Sequence, residues 1–397
     1  MADIRLVKIG DIVTTNASSY SSKDHWEYVN YLDTGNITQN VIDSIQRIDL
    51  TQEKLPSRAK RKVKENSIVY STVRPNQLHY GMIRNQPKNF LVSTGFTVID
   101  VNERQAVAEY VYYFLTQKEI VESLQAIGEQ SVSTYPSIKP SDIEDIEIPL
   151  PSLDIQKKIV GILKSLDSKI KTNSDINNNL EQQGMSYYRK LFVLEAKDSW
   201  RVGTIADLGA IVGGSTPSKA KAEYYTDNGI AWITPKDLSN DKSKYIYHGE
   251  NDITELGLKN SSTSIMPEGT VLFSSRAPIG YIAIAGCSVT TNQGFKSVIP
   301  KPEIGTAFIY YFLKDNLPII EGMASGSTFK EVSGSTMKNV PAIIPDNETL
   351  AIFHEFCTPI FEQQRVLESE NRSLIEIRDG LLTRLMSGEL DVSDVEI

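Results

Sequence analysis

The feature that most constrains this 397-residue chain is that it is written twice. YVYYFL at 110–115 returns as FIYYFL at 308–313, and the phrases around it recur in the same order. IGDI (9–12) matches IADL (205–208), and YLDTGNI (31–37) faces WITPKDL (232–238). IVYSTVRP (68–75) faces VLFSSRAP (271–278), STGF (93–96) faces NQGF (292–295), and STYPSI (133–138) faces STFKEV (327–332). Offsets drift between 194 and 203, the pattern of a shared scaffold whose loops differ in length. Self-similarity of this kind fixes the architecture before any local structure is read. The length also exceeds one ordinary hydrophobic core and predicts two large units plus something smaller.

Each copy ends in a long heptad segment, and there the offset becomes fixed at 194. Ile159, Leu166, Asn173, Leu180 and Tyr187 fall at sevens, with Leu163, Ile170, Asn177, Gly184 and Leu191 four residues after each. Phe353, Ile360, Leu367, Leu374 and Leu381 repeat the spacing. Apolar residues at a 3.5 period make a seam that buries itself against a partner helix. Two arrangements satisfy it: each helix caps its own domain, or the two form an antiparallel pair spacing two globular units. A helix from 155 to 192 would be about 55 Å long. Asn173, Asn177 and Gln364 on the seams would fix register at a cost in stability. Pro359 has no counterpart in the first segment and predicts a kink or break.

Between the seams the halves read as mixed α/β. IVYSTV, FTVIDV, TVLFSS, YIAIA and SVIP are β-branched or aromatic runs bounded by turn formers. YVYYFL and FIYYFL read as helix, with Tyr110, Tyr113 and Phe114 on one face and Phe308, Tyr311 and Phe312 on the equivalent one. Their aromatic density first points to stacked bases, but an aromatic helix packed on a sheet is core.

The formal charge of −9 opposes nucleic acid at first sight. Residues 346–397 hold 12 acids and 4 bases, however, leaving about −1 for everything before them. Within that remainder KLPSRAKRKVK (54–64) carries six bases and no acid. Alone it is either a solvated loop or a phosphate-binding run. No apolar stretch approaches the length of a membrane span, the N-terminus lacks a secretory pattern, and two cysteines without CxxC spacing fit a reducing cytoplasm.

Catalytic signals are absent from the sequence. His25, His79, His248 and His354 have no metal-ligand spacing. GGSTPSK (213–219) lacks the glycine before lysine of a phosphate loop, and no GxGxxG or GxSxG occurs. What remains is a recognition module with two similar but unlike heads, suited to two separated sites on one extended ligand such as DNA. Two competing classes are a non-catalytic scaffold with duplicated protein-binding heads and a DNA-modifying enzyme active by itself.

These residues carry a resemblance. GGSTPS (213–218), EYY (223–225), GIAWITPKDL (229–238), EGTVLFSS (268–275) and TNQGF (291–295) are similar to phrases of the target recognition domains in the specificity (S) subunit of type I restriction-modification systems. IVYSTVRP and VSTGFTVI resemble another recognition-domain subtype, IPLPSLDIQKKI (148–159) the start of the family's central conserved region, and LLTRLMSGEL (381–390) the close of its distal one. AIIPDNETLAIF (342–353) departs by lacking a glutamine near the helix start, which puts the local helix cap in doubt.

The resemblance implies two α/β (α+β) target recognition domains in tandem pseudo-symmetric repeat, separated by two long antiparallel coiled-coil helices. The expected boundaries are 1–150, 151–197, 198–345 and 346–397. Each domain would read half of a bipartite double-stranded DNA target, and the helices would set the gap and dock two methyltransferase (M) subunits, with two restriction (R) subunits joining for cleavage. The chain would have no active site and no cofactor of its own, S-adenosylmethionine, ATP and magnesium serving the partners, and it would act in the cytoplasm away from membranes. Expected phosphate contacts are Lys60, Arg61, Lys62 and Lys64 in the first domain and Lys219, Lys221 and Lys236 in the second. Nearer to bases are Arg74, Asn76, Gln77 and His79, then Arg276, Asn292, Gln293, Ser327 and Lys330, since Arg, Asn and Gln read base edges. The expected helix-pair interface is Ile159, Leu166, Leu180, Tyr187, Phe353, Ile360, Leu367, Leu374 and Leu381. Glu362, Glu368 and Glu376 in the acidic segment are expected to face the M subunits.

Overall fold

Strands form where the β-branched and aromatic runs lie, at Ile68–Ser71, Phe96–Val101, Val271–Ser275, Ile279–Ala285 and Lys296–Pro300. The structure is a computed structural model and describes residues 4–131, 135–326 and 330–395. It divides into two compact units, Met1–Ile170 with Leu374–Ile397, and Lys171–Ser373. Each unit therefore contains a stretch of both long helices.

In the first unit, an antiparallel sheet runs in the order Val13–Thr15, Phe96–Val101, Ile68–Ser71, Tyr80–Met82. Tyr28–Leu32 pairs in parallel with Phe90–Ser93, flanked by Gln46–Asp49 and Ala59–Lys62 in a second four-stranded sheet. Arg5–Lys8 pairs antiparallel with Glu147–Leu150.

The second unit repeats that plan. Its five-stranded sheet runs Gly209–Gly213, Lys296–Pro300, Val271–Ser275, Ile279–Ala285, Tyr245–Ile246. A parallel pair, Trp232–Ile233 with Thr290–Thr291, stands where Tyr28–Leu32 meets Phe90–Ser93, and Arg201–Thr204 pairs with Pro341–Ile344. The scaffold strands recur in order and direction; the additions around the parallel pair do not.

YVYYFL lies in the helix Ala108–Leu115 and FIYYFL in Gly305–Asp315. All six residues of FIYYFL are buried, and five of YVYYFL, Tyr112 being half-buried. A helix apolar all round belongs inside a core. At about 1.5–3 kcal/mol for each fully buried large apolar side chain, this short element is among the largest apolar contributions to its unit.

The long helices are Leu153–Arg189, followed by a π-helical turn at Lys190–Leu194, and Asn347–Met386. Ile159 and Leu163 share a core with Leu382, Leu385 and Met386 in the first unit, Leu381 packing at its edge. In the second unit the Tyr187 and Phe356 rings pack in a tilted arrangement with centres 4.1 Å apart, and Leu180 borders the core of Phe353, Ile360 and Phe361. Leu367 is buried, while Leu166 and Leu374 are half-buried. Asn173 Nδ2 donates to Asn371 Oδ1 and to Glu370 Oε2 at 2.9 Å, and Gln364 Nε2 donates to the Asn177 carbonyl at 3.2 Å. Partner numbers fall as those of the first helix rise, so the pairing is antiparallel, and polar seam residues meet polar seam residues.

Two local expectations need correction. Pro359 does not break the second helix, which runs through it. Pro359 and Glu355, whose carbonyl loses the usual N–H, are both exposed, so the break in the hydrogen-bond ladder falls on the solvent side of the helix. The absent glutamine does not cost the helix its cap either. Asp346 Oδ1 accepts the Thr349 N–H at 2.8 Å, and Lys197, that N–H and Trp200 hold its carboxyl well below the usual range. The first half's glutamine serves a different element. Buried Gln156 accepts the Val107 N–H at 2.8 Å, satisfying the start of the YVYYFL helix. At the equivalent position stands Leu350, buried in the core.

Candidate nucleic-acid interface

The strand Ile68–Ser71 ends in a turn held from two sides. Thr72 donates its backbone N–H and its hydroxyl to the Gly95 carbonyl at 2.8 and 2.9 Å, while the Thr72 carbonyl accepts the Ile138 N–H at 2.9 Å. Arg74 then takes a left-handed conformation, φ 48°, immediately before Pro75, with its N–H bonded to the Pro136 carbonyl. Its guanidinium lies 4.5 Å from the Tyr135 ring centre. Asn76 and Gln77 are exposed on the following 3₁₀ turn. His79 is tethered through Nδ1 to the Ile37 carbonyl at 2.7 Å. The turn brings all four expected base-side residues to one end of the first unit's central sheet.

In the second unit Ser275 donates its N–H and hydroxyl to the Gly294 carbonyl at 2.7 and 3.1 Å, and its carbonyl accepts the Val332 N–H at 2.9 Å. Ala277, φ 48°, precedes Pro278. Arg276 lies 3.7 Å from Glu331, which also holds Lys296 at 3.6 Å. Beside them the GGSTPS loop rests on Thr291–Gln293. A Cβ on Gly214 would stand 2.2 Å from two of that segment's carbonyl oxygens, so only glycine permits the approach. Thr216 donates to Gln293, and Trp232 Nε1 donates to the Ser215 carbonyl at 3.1 Å. Asn292 accepts the Gly294 N–H at 2.8 Å through its side-chain Oδ1. Lys330 is exposed next to Glu331, and Ser327 lies outside the described residues.

The basic run is divided by the strand Ala59–Lys62. Lys60 is exposed, and Arg58, which sequence reading passed over although it belongs to the run, accepts the Thr94 N–H through its carbonyl at 2.8 Å, beside the Thr72–Gly95 contact. Arg61 is half-buried. Two of the expected phosphate contacts have acidic neighbours: Lys62 is ion-paired with Asp24, and Lys64 sits 4.0 Å from Asp100, ahead of the strand that ends in the Arg74 turn. Elsewhere, Lys219 is exposed, Lys221 donates to the Tyr224 hydroxyl at 3.0 Å, and Lys236 pairs with Glu250 at 2.6 Å.

The acidic segment also needs one correction. Glu362 and Glu376 are exposed, but Glu368 accepts the backbone N–H groups of Lys244 and Tyr245 at 2.7 and 3.1 Å. It belongs to a buried polar cluster that sequence reading missed. Lys244 Nζ reaches Glu181 Oε2 at 2.8 Å and Gln364 Oε1 at 2.7 Å, with the Phe361 ring centre 3.5 Å away. Lys314 pairs with the other oxygen of Glu181 at 2.6 Å. Burial, against the pull of Glu181, brings Lys244 down to about 8. Burial alone would raise Glu181, but the two lysines outweigh it and hold it below the ordinary range; burial raises Glu368. Gln364, a polar residue on the seam, is the signal in the sequence that points to it.

Comparison with known proteins gives one answer. A family model described as "Type I restriction modification DNA specificity domain" matches residues 1–182 and 197–367. The chain is 26% identical over 466 aligned positions, covering 98% of it and 100% of the relative, to the type I restriction enzyme HindI specificity subunit of Haemophilus influenzae. It is 42% identical over 178 residues, 43% of its length and 41% of the relative's, to the MjaIX specificity subunit of Methanocaldococcus jannaschii. Its fold matches the crystal structure of the type I restriction-modification system S subunit from M. genitalium, with TM-score 0.53, 16% identity, and coverage of 97% and 96% of the two chains.

Proposed function

The chain belongs to the type I restriction-modification DNA specificity family, and from that premise we propose that each of its two units reads one half of a bipartite double-stranded DNA target. It is a specificity subunit with two recognition domains, and its role is recognition without catalysis. The observation that carries the bipartite reading is the duplication: the same order of scaffold strands and a similarly clamped turn after the central strand, surrounded in each unit by unlike loops. One scaffold with two sets of loops is what two half-sites of different sequence require.

In this reading exposed cations, Arg58 and Lys60 in one unit and Lys219 and Lys330 in the other, contact phosphates and set position. Arg74, Asn76, Gln77, Arg276 and Gln293 face base edges. The antiparallel helices fix the number of base pairs between the half-sites and dock two methyltransferase subunits, with two restriction subunits completing the complex. S-adenosylmethionine, ATP and magnesium serve those partners, in the cytoplasm where the DNA is. No described helix is long and apolar enough to cross a membrane.

The test is methylome sequencing of cells carrying this chain with its methyltransferase partner. A methylated motif of two defined half-sites around a fixed gap is the expected result. A continuous motif, or methylation independent of this chain, would contradict it.

A further inference from the structure

The two units share a hydroxyl-clamped turn with a positive φ just before a proline, but the Ala277–Pro278 bond is cis where Arg74–Pro75 is not, and the arginine is displaced by one residue. In each, a hydroxyl residue, Thr72 or Ser275, clamps a glycine carbonyl by N–H and side chain while its own carbonyl is held by Ile138 or Val332. Two residues on, each has a non-glycine residue at φ 48° followed by proline. Such a conformation is disfavoured for arginine and alanine alike and persists only where surrounding bonds impose it. The clamp supplies them. The arginine, however, sits at the left-handed position in the first unit (Arg74) and one residue earlier in the second (Arg276), where the first has Val73.

We infer that this turn is the base-reading turn of both units, that Arg74 and Arg276 each donate to a guanine edge in the major groove, and that the one-residue displacement makes the two units read different positions. The inference rests on the DNA-reading function proposed above and deepens it. A guanidinium forms two parallel hydrogen bonds to guanine O6 and N7 only if its plane is held. Arg74 is held against the face of Tyr135 at 4.5 Å, which leaves its N–H edge free to donate. Arg276 is held from the side by Glu331 at 3.7 Å, with Lys296 sharing that carboxylate. The different restraints, and the arginine's different place on the turn, present the two forks in different directions. Thr72 and Ser275 are positioning residues, since they act on DNA only through the turn.

The experiment uses the complex with methyltransferase subunits, first to define the wild-type motif, then with Arg74→Ala, Arg74→Lys, Arg276→Ala, Arg276→Lys and the double change Val73→Arg with Arg74→Ala. Binding to cognate duplexes and to single-base-pair variants is measured across a salt series. Each alanine variant is expected to weaken cognate binding on the order of 10- to 100-fold and to lose discrimination at one position of its own half-site, the other half-site unchanged. The lysine variants keep the charge but lack the fork, so they should lose the same discrimination in a folded complex. The double change should shift the base preference of the first half-site alone. Uniform weakening over all sequences, with the salt slope reduced by about one, would assign the arginines to phosphates and overturn the inference. Lysine variants that read the wild-type motif unchanged would also overturn it, whereas a wild-type complex without any bipartite motif would instead overturn the function it rests on.

Discussion

Gly184 faces the hydroxyl of Tyr311 so closely that a Cβ built on it would lie 2.0 Å from that oxygen and 2.6 Å from the ring carbon bearing it. The contact is how the FIYYFL helix seats on the first long helix. The first unit's matching residue, Tyr113, instead donates to Asp167 at 2.6 Å, an acid also held by Arg378 at 3.0 Å. Arg378 stands 194 residues after Gly184, the same heptad position in the second helix. One aromatic phrase is anchored twice, once by removing a side chain and once by an ion pair.

Gly184→Ala should therefore destabilise the second unit, although alanine is the better helix former. Overpacking of this kind costs about 1–3 kcal/mol, against about 1 kcal/mol gained in helix propensity. Urea unfolding of the purified chain should show a lower midpoint, with partial recovery in Gly184→Ala/Tyr311→Phe. A raised midpoint in the single variant would show that the tyrosine swings aside freely.

Gln156→Leu, which imitates the second half's Leu350, should cost about 1–3 kcal/mol because the part-buried Val107 N–H loses its acceptor. Hydrogen exchange should quicken at the start of Ala108–Leu115 and leave Gly305–Asp315 unaffected. Equal exchange at Val107 in variant and wild type would remove Gln156 from this role.

Lys244 makes a pH prediction. Its folded value of about 8 lies below the ordinary 10.5, so between those limits the unfolded chain binds more protons than the folded one. The stability difference between wild type and Lys244→Met should therefore move in favour of wild type as pH rises from about 8 to 10.5, and be flat from pH 6 to 7.5. Chemical denaturation at a series of pH values measures it; a difference falling with pH in that window would mean that the ion pair with Glu181 dominates over burial.

Much of this was legible in the sequence because periodicity and repetition are properties of the chain itself. The heptads named Ile159, Phe353 and Ile360 as seam residues, and the paired phrases named both core helices. The Lys244 cluster was hidden, since Glu181, Lys314, Gln364 and Glu368 reach it from separate segments and lysine signals solvent by itself. The left-handed turn was hidden too: neither arginine nor alanine advertises a positive φ, and only the following proline marked the place. Gly184 stood on the seam in the sequence without a reason until Tyr311 supplied one.

Deleting one heptad from each long helix should shorten the gap between half-sites by roughly three base pairs, from the helical rise per residue against the rise per base pair, without changing either half-site. The methylated motif of the variant reads this out. A folded, active variant with the original gap would separate the helices from spacing.

On this proposal each unit reads its half-site independently. Its most direct test replaces residues 1–150 with the matching part of a relative of different sequence preference, keeps the rest of this chain, and sequences the methylome beside wild type. The predicted result is a motif in which one half-site is the relative's and the other is unaltered. A motif altered in both half-sites, or in neither, would contradict it.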